Sequence, residues 1–341
     1  MSGSQYAAAG VDLRQADEAK ARIGRLVAGT RTGLSLGEVG AFGGMVRLPV
    51  GMTHPVLVKS TDGVGTKVLV AQQAGVYDTV GEDLVNHSVN DILVHGAVPI
   101  AFMDYIAGHR LPVDMVAGVV EGIARGCRQH AMALAGGETA QMPGLYAERT
   151  FDLAGTIIGV VEEEAALHGS AITAGDVLVG YASTGLHTNG YTLARRVLFD
   201  TMGLSLDATL PGAETTVAEA LLAVHRSYDA AIRPALDNIH GLAHITGGGI
   251  GGNMVRVLPD GVEAVIQPAS WQWPALFRVI AEGGKVPIEE MRDVFNLGIG
   301  MIAAVPAGRV DAVRATANAA GVPTSVIGEV RAGARRVRFA D

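Results

Sequence analysis

Apolar and polar positions follow two rhythms along these 341 residues and predict alternating strands and helices. Short apolar runs predict strands at 55–60, 99–106, 132–135 and 151–161, and again at 176–181, 263–266, 297–305 and 325–330. Apolar residues at helical spacing predict helices at 12–27, 76–95, 113–130, 191–199, 272–282 and 310–320, with helical segments near 214–236. Pro112 suits the start of the 113–130 helix. The stretch 31–44 is glycine-rich, 42–48 reads as a strand with permissive glycines, and the residues before 12 read as a short mobile start. The acidic run Glu162-Glu-Glu164 and the small residues after it read as a solvated connector. The pattern thus predicts two α/β domains with mixed sheets, 1–168 and 169–341.

Polar residues that interrupt this pattern gather at strand ends. Lys59-Ser-Thr-Asp62-Gly63-Val-Gly65-Thr66-Lys67 follows the 55–60 strand. Glycines let backbone N–H groups approach an anion, lysines neutralise phosphate, and a carboxylate holds Mg²⁺ against it. A polar turn explains the same composition, so the stretch alone decides nothing. It is not a Walker A loop, because the upstream glycine is missing and Lys67 is followed by valine. On the 76–95 helix, Asp83, Asn86, His87 and Asn90 share one face, with Asp91 at its edge and Leu84, Val85, Val89 and Ile92 on the other side. Short Asn, Asp and His side chains are weak helix formers with fixed donors and acceptors. The face is therefore read as ligand-facing, the alternative being a buried polar network. Gly136-Gly137-Glu138-Thr139 ends another strand, and Glu138 matches Asp62 and Asp91 as a hard oxygen ligand. No ladder of His and Cys calls for zinc.

The second half carries the polar loop Ser183-Thr-Gly-Leu-His187-Thr188-Asn189-Gly190. It has no G-x-S-x-G elbow, and His187 by itself suits a structural role as well as a catalytic one. Gly247-Gly248-Gly249-Ile-Gly-Gly252 matches G-x-G-x-x-G by its letters. Its late position and the lack of an acid about 20 residues on disfavour a dinucleotide site. An anion-binding loop before a helix near Asn253 remains open.

Composition narrows the partners. Hydrophobic residues make up 49% and charged ones 18%, as in a well-buried globular protein. A net charge of −8 disfavours nucleic acid and anionic membranes, and 5% aromatics disfavour a base-stacking surface. Cys127 is the only cysteine, which removes internal disulfides and CxxC sites and reads as a buried structural thiol. No apolar run approaches the roughly 20 residues of a bilayer span, so a cytoplasmic protein without a membrane partner is expected.

Taken in order, Thr61-Asp-Gly-Val-Gly-Thr-Lys67, Val89-Asn-Asp-Ile92, Gly136-Gly-Glu-Thr-Ala140 with Met142-Pro-Gly144, His187-Thr-Asn-Gly-Tyr191, Thr246-Gly-Gly-Gly249 and Ser270-Trp-Gln-Trp-Pro274 resemble the phosphoribosylformylglycinamidine cyclo-ligase (aminoimidazole ribonucleotide synthetase) family. The resemblance runs from about Tyr6 to the C-terminus. It implies a two-domain AIR synthase-like fold and a homodimer, with N-terminal strands forming a barrel-like core at the dimer interface. It also implies that a C-terminal domain completes the substrate cleft. The implied reaction converts formylglycinamidine ribonucleotide and ATP, with Mg²⁺, to aminoimidazole ribonucleotide, ADP and phosphate. An iminophosphate would form first, and the ring-forming nitrogen would then displace phosphate.

The same resemblance assigns Asp62, Asp91 and Glu138 to the metal and Lys59, Asp62, Lys67 and His187 to catalysis. Gly63, Gly65, Thr66, Asn86, Asn90 and Thr139 would bind nucleotide. Thr188, Asn189, Gly247, Gly248 and Gly249 would hold the nucleotide or the phosphate-bearing substrate at the domain junction. The motifs name no general base. Gln141 stands where the family often has an acid, Leu297 where it can have a cysteine, and Gly251-Gly252 where bulkier residues are common. Related ATP-using enzymes are the alternative. A selenophosphate synthetase is disfavoured by the lack of a cysteine near the N-terminal loop, and an amidotransferase by length. A thiamin-monophosphate kinase would keep the phosphate on its product.

Overall fold

The computed structural model describes residues 13–37 and 43–340, with side chains from residue 18 onward. The expected mobile start lies outside these residues, as does part of the 42–48 strand. The chain forms two compact units, one of residues 1–92 with 98–163 and one of 93–97 with 164–341.

In the first unit, α1 (Leu13–Ala28) precedes a short antiparallel pair, β1 (Ser35–Leu36) and β2 (Met45–Val46). Then come β3 (Pro55–Gly63), α2 (Lys67–Ala74), α3 (Asp78–Leu93), β4 (Val98–Gly108), α4 (Val113–Gln129), β5 (Ala133–Gln141) and β6 (Phe151–Glu162). A four-stranded sheet has the order β3-β6-β4-β5, parallel only between β4 and β5. On β6, Leu153, Gly155 and Ile157 are buried while Ala154, Thr156 and Ile158 are half-buried, so one face turns to the helices.

Helix α4 lies against α3 along glycines. Gly118, Gly122 and Gly126 recur at every fourth residue. A Cβ at Gly122 would stand 1.9 Å from the Asp78 carbonyl oxygen, and one at Gly81 of α3 would stand 2.0 Å from that of Val119. The two backbones therefore touch directly, and this contact sets how α3 lies.

Two stretches predicted as loops are strand. β3 runs on from Ser60 to Gly63, and β5 runs from Ala133 through Gly136-Gly137-Glu138-Thr139 to Gln141. Both are edges of the sheet, where among the described residues one flank has no strand partner and polar residues remain in contact with water. Lys and Asp are poor candidates for a central strand, and an edge tolerates them.

The second unit contains β7 (Val177–Ala182), α5 (Tyr191–Arg195), α6 (Val217–Leu222), α7 (Asp229–Ile232), β8 (Gly241–His244), α8 (Gly249–Met254) and β9 (Val262–Ile266). It continues with α9 (Ala275–Gly284), α10 (Ile288–Val294), β10 (Ile299–Val305), α11 (Val310–Ala319), β11 (Thr324–Ala332) and β12 (Arg336–Phe339). The six strands are ordered β12-β9-β11-β7-β10-β8, parallel only between β12 and β9. Met301, Ala303 and Val305 of β10 join Tyr181, Tyr228 and Ile232 in one core, while Ile302 and Ala304 join Leu178, Ile250 and Met254 in another. Burial on both faces makes β10 a continuous apolar run. The 191–199 helix is observed as α5, which passes into a π-helical turn at Arg196–Thr201.

Candidate functional site

In the first unit the carboxylates of Asp62 and Asp91 meet at one cation. Nε2 of His87, on α3, lies 2.9 Å from Asp62 and 3.5 Å from Asp91. Ser60, two residues before Asp62 and on the same face of β3, donates to Asp91 at 2.9 Å. Burial opposes charge on His87, but its bonds to Asp62 and Asp91 prevail and raise its pKa to about 9. Burial also opposes charge on Asp62, yet the His87 imidazolium and the Gly63 N–H hold its carboxyl below the ordinary range. Two carboxylates turned toward one positive centre form a hard-oxygen donor pair of the kind Mg²⁺ takes.

Glu138 is not part of this group. Register pairs Asp62 with Gly155, Gly155 with Asp104, and Asp104 with Gly137, so these four residues share one row and one face. Glu138 is the next residue after Gly137 and points to the other face, exposed, with Oε1 accepting from the Thr139 N–H at 2.9 Å. It also stands on the opposite edge of the sheet, three strand spacings or about 14 Å away across a flat sheet. Lys59, exposed on β3, likewise faces away from Asp62.

Helix α3 corrects the ligand-facing reading. Asp83, Asn86, His87 and Asn90 are all buried, in the polar network that was the alternative. Lys67, the first residue of α2, is also fully buried, with Nζ 2.7 Å from Asp83. Its expected place among phosphates is not what the structure shows, because its ammonium points inward to a carboxylate. Burial pulls its pKa down while Asp83 pulls it up, with burial the stronger. Thr66 occupies the N-cap of α2 without a side-chain capping bond, and Gly65 before it has a φ of +56°. Asp104 escaped the sequence reading inside an apolar run. Burial lifts its pKa to about 7, and a Cβ at Gly137 would lie 2.3 Å from its Oδ1.

In the second unit the two polar loops approach each other. Asn189 Oδ1 stands where a Cβ on Gly247 would be only 3.3 Å away. Asn253 fixes the glycine loop, its Nδ2 donating to the carbonyls of Thr246, Gly247 and Gly249 at 3.3, 3.2 and 2.8 Å. Gly248 and Gly249 have φ of +94° and +59°, and a Cβ on Gly249 would lie 1.8 Å from the Arg292 carbonyl oxygen. Asn296 anchors the other loop: its Oδ1 accepts from Ser183 Oγ at 3.0 Å and its Nδ2 donates to Gly185 O at 2.9 Å. His187 and Thr188 are buried, and His187 packs into a cluster with His225 and His244. Asn253, Asn296 and His225 were not selected from the sequence, where each is a lone polar residue without a motif. A cleft of about 510 Å³ opens beside the Ser183 loop, lined among others by Trp271, Gln272, Gly298 and Ser325, with no charged side chain among its walls.

Both units match family models. Residues 43–161 match the N-terminal domain of AIR synthase related proteins, and residues 173–340 match their C-terminal domain. The phosphoribosylformylglycinamidine cyclo-ligase of Sorangium cellulosum is 50% identical over 330 residues, covering 95% of this chain and 94% of that protein. The chain belongs to the phosphoribosylformylglycinamidine cyclo-ligase family. It is accordingly an enzyme. The cyclo-ligase of Myxococcus xanthus is 47% identical, covering 97% of each chain. The fold has more distant relatives. The thiamine-monophosphate kinase from Stenotrophomonas maltophilia superposes with a TM-score of 0.69 at 18% identity, covering 92% of this chain and 94% of that one. The hydrogenase maturation protein HypE in complex with ATP gives 0.64 at 17%, covering 92% and 88%. Among the described residues of this cyclo-ligase family member, no helix is long and apolar enough to cross a membrane.

Proposed function

We propose that this enzyme closes the imidazole ring in purine biosynthesis. It converts formylglycinamidine ribonucleotide and ATP to 5-aminoimidazole ribonucleotide, ADP and phosphate. The observation that carries this reading is the 50% identity along nearly the whole chain to a cyclo-ligase. The chemistry explains the need for ATP. An amide oxygen leaves poorly, so the γ-phosphoryl group is first transferred to the formamide oxygen. The neighbouring nitrogen then attacks the same carbon, and phosphate leaves with the C–O bonding pair. Ring closure within one molecule gains from proximity, so the chain's tasks are to position groups and to offset charge.

Asp62 and Asp91 are the proposed metal pair, and their convergence on His87 supports that role. Mg²⁺, when bound, neutralises the charge of the transferred phosphoryl group. In this reading Gly63, Gly65, Thr66 and Thr139 form the nucleotide wall of the first unit, with Asn86 and Asn90 supporting it from beneath, while Lys59, on the other face of β3, stands outside it. Thr188, Asn189 and Gly247–Gly249 hold a phosphate-bearing ligand in the second. The proposed homodimer draws support from the two open sheet edges and from exposed apolar residues on the first unit's strands, including Leu57 at 55% and Tyr105 at 37%. The charge of −8 and the lack of a membrane-crossing helix among the described residues agree with a cytoplasmic enzyme of a small-molecule pathway.

The test is ADP and phosphate release by purified protein with and without formylglycinamidine ribonucleotide. Release in step with aminoimidazole ribonucleotide, and only with that substrate, is expected. Equal ATP turnover without it, or phosphate retained on the product as in a kinase, would rule the reading out.

A further inference from the structure

The three imidazoles of His187, His225 and His244 lie buried in the second unit, each with a ring nitrogen within 4.8 Å of the others. Such a cluster first calls to mind a transition metal, but the ring planes argue otherwise. His187 and His225 are stacked, their centroids 3.9 Å apart and their planes inclined at only 21°. Imidazole lone pairs lie in the ring plane, so two nearly parallel rings do not aim at one ion about 2.0–2.1 Å from both. Hydrogen bonds order the cluster instead. The Thr184 N–H donates to Nε2 of His187 at 3.2 Å, which places the proton of the neutral ring on Nδ1. His187 is thus a fixed plate against which His225 lies flat. Gly300 makes room for it, since a Cβ there would fall 2.5 Å from His187 Cε1 and 2.1 Å from Tyr228 Oη.

His225 joins a chain with a direction. Asn189 Nδ2 donates to Thr188 Oγ1 at 3.5 Å, and the Thr188 hydroxyl lies 3.4 Å from Nδ1 of His225, to which it can donate. A neutral His225 that accepts at Nδ1 carries its proton on Nε2, and that nitrogen lies 3.2 Å from Nε2 of His244. We propose that Thr188, His225 and His244 form a proton relay serving the ring-closing step, His225 being its central, positioning residue. The proposal rests on the cyclo-ligase reading, in which Thr188 touches the substrate and the proton acceptor has no name.

The step balances. As the ring-forming nitrogen makes the new C–N bond and phosphate leaves with the C–O pair, that nitrogen gives up one proton. The proton goes to Thr188 Oγ1 while the hydroxyl's own proton passes to Nδ1 of His225. The proton on Nε2 of His225 passes to Nε2 of His244. One N–H bond is broken on the substrate and one is formed on His244, with no redox partner required. Relay bonds of 3.2 and 3.4 Å are long for transfer, as is common before substrate tightens a site.

His225→Gln separates relaying from holding. A glutamine amide accepts from Thr188 and donates to His244, so the two bonds can persist, but it does not pass a proton. The relay predicts kcat lower by about 10²-fold with KM within about twofold, since proton transfer of this kind contributes about 10² or more. On rapid quench, ADP should still appear in the first turnover at the wild-type rate while ring product lags. His244→Gln, which removes the final proton acceptor without touching the ligand-holding loops, should show the same lag, which keeps the test decisive if His225→Gln does not fold. His225→Gln activity within threefold of wild type, with loss only in His225→Leu, would make His225 a packing residue and overturn the relay. So would stoichiometric zinc retained by wild type after dialysis and lost in His225→Gln. Wild-type protein that forms no ring product at all would instead overturn the cyclo-ligase reading, and the relay with it.

Discussion

Lys67→Met should destabilise the first unit severely, and Asp83→Leu added to it should restore most of the loss. Both side chains are fully buried and their charged atoms lie 2.7 Å apart. At an effective dielectric constant of about 20, that separation corresponds to about 6 kcal/mol of attraction, set against the cost of dehydrating both ions. Removing the ammonium alone keeps the dehydration of Asp83 and loses the attraction, a cost of about 3–5 kcal/mol. Replacing both ions by apolar groups removes the two dehydration costs together and is expected to be near neutral. For a unit of this size a loss of about 3–5 kcal/mol lowers the melting temperature by roughly 6–20 °C. Calorimetry and urea unfolding of wild type, each single variant and the double variant give the cycle directly. A Lys67→Met protein within about 1 kcal/mol of wild type, or a double variant no better than the single, would refute the reasoning. The double variant also decides what Lys67 does. If its ammonium serves Asp83, the refolded double variant keeps a KM for ATP within severalfold of wild type. A tenfold or greater rise would return Lys67 to the phosphates.

Asp62→Asn keeps the shape of the side chain and removes its charge, so turnover should fall by at least about 10²-fold while circular dichroism is unchanged; full activity would remove Asp62 from the site. The folded pKa of His87, about 9, lies above its unfolded value of 6.5, so the stability it contributes is complete below pH 6.5 and fades as pH rises through 9. That loss is at most about 3 kcal/mol, and His87→Gln should flatten the alkaline limb of a pH-stability curve. Burial first, and then nearby Asp104, push the Cys127 thiol far above its ordinary range. It should therefore resist thiol reagents until the protein is unfolded, and rapid labelling of folded protein would contradict its burial.

Much of the architecture was legible because its signals are periodic. The helices over Asp78–Leu93 and Val113–Gln129 and the strands at Phe151–Glu162 and Ile299–Val305 follow from apolar spacing, within a few residues at the ends. Edge strands were the main failure. Polar residues and glycines at 59–63 and 136–139 look like loops, since sequence does not reveal that one flank of a strand is unpaired. Strands Gly241–His244 and Arg336–Phe339 are too short to show a period, and helix Ile288–Val294 is only two turns long. In the site, the sequence pointed to Asp62 and Asp91 as a pair of carboxylates, and the structure brings both to His87. The inward turn of Lys67 was not, because a lysine beside glycines reads as a phosphate ligand until its carboxylate partner, 16 positions away on another helix, is seen.

Cores built from leucine and valine give way by degrees when a methyl group is added or removed, so variants there form a graded series. The contact of α3 with α4 has no such give. At Gly81 and Gly122 the first carbon atom added already overlaps a carbonyl oxygen, and no rotamer can move it aside. Tolerance to mutation along this seam should therefore be close to binary, with most substitutions eliminated rather than weakened. The helix that carries His87 and Asp91 is kept at a constant depth by this intolerance. Room for functional drift in the first unit is left to the sheet edges, where a side chain can change without displacing a backbone.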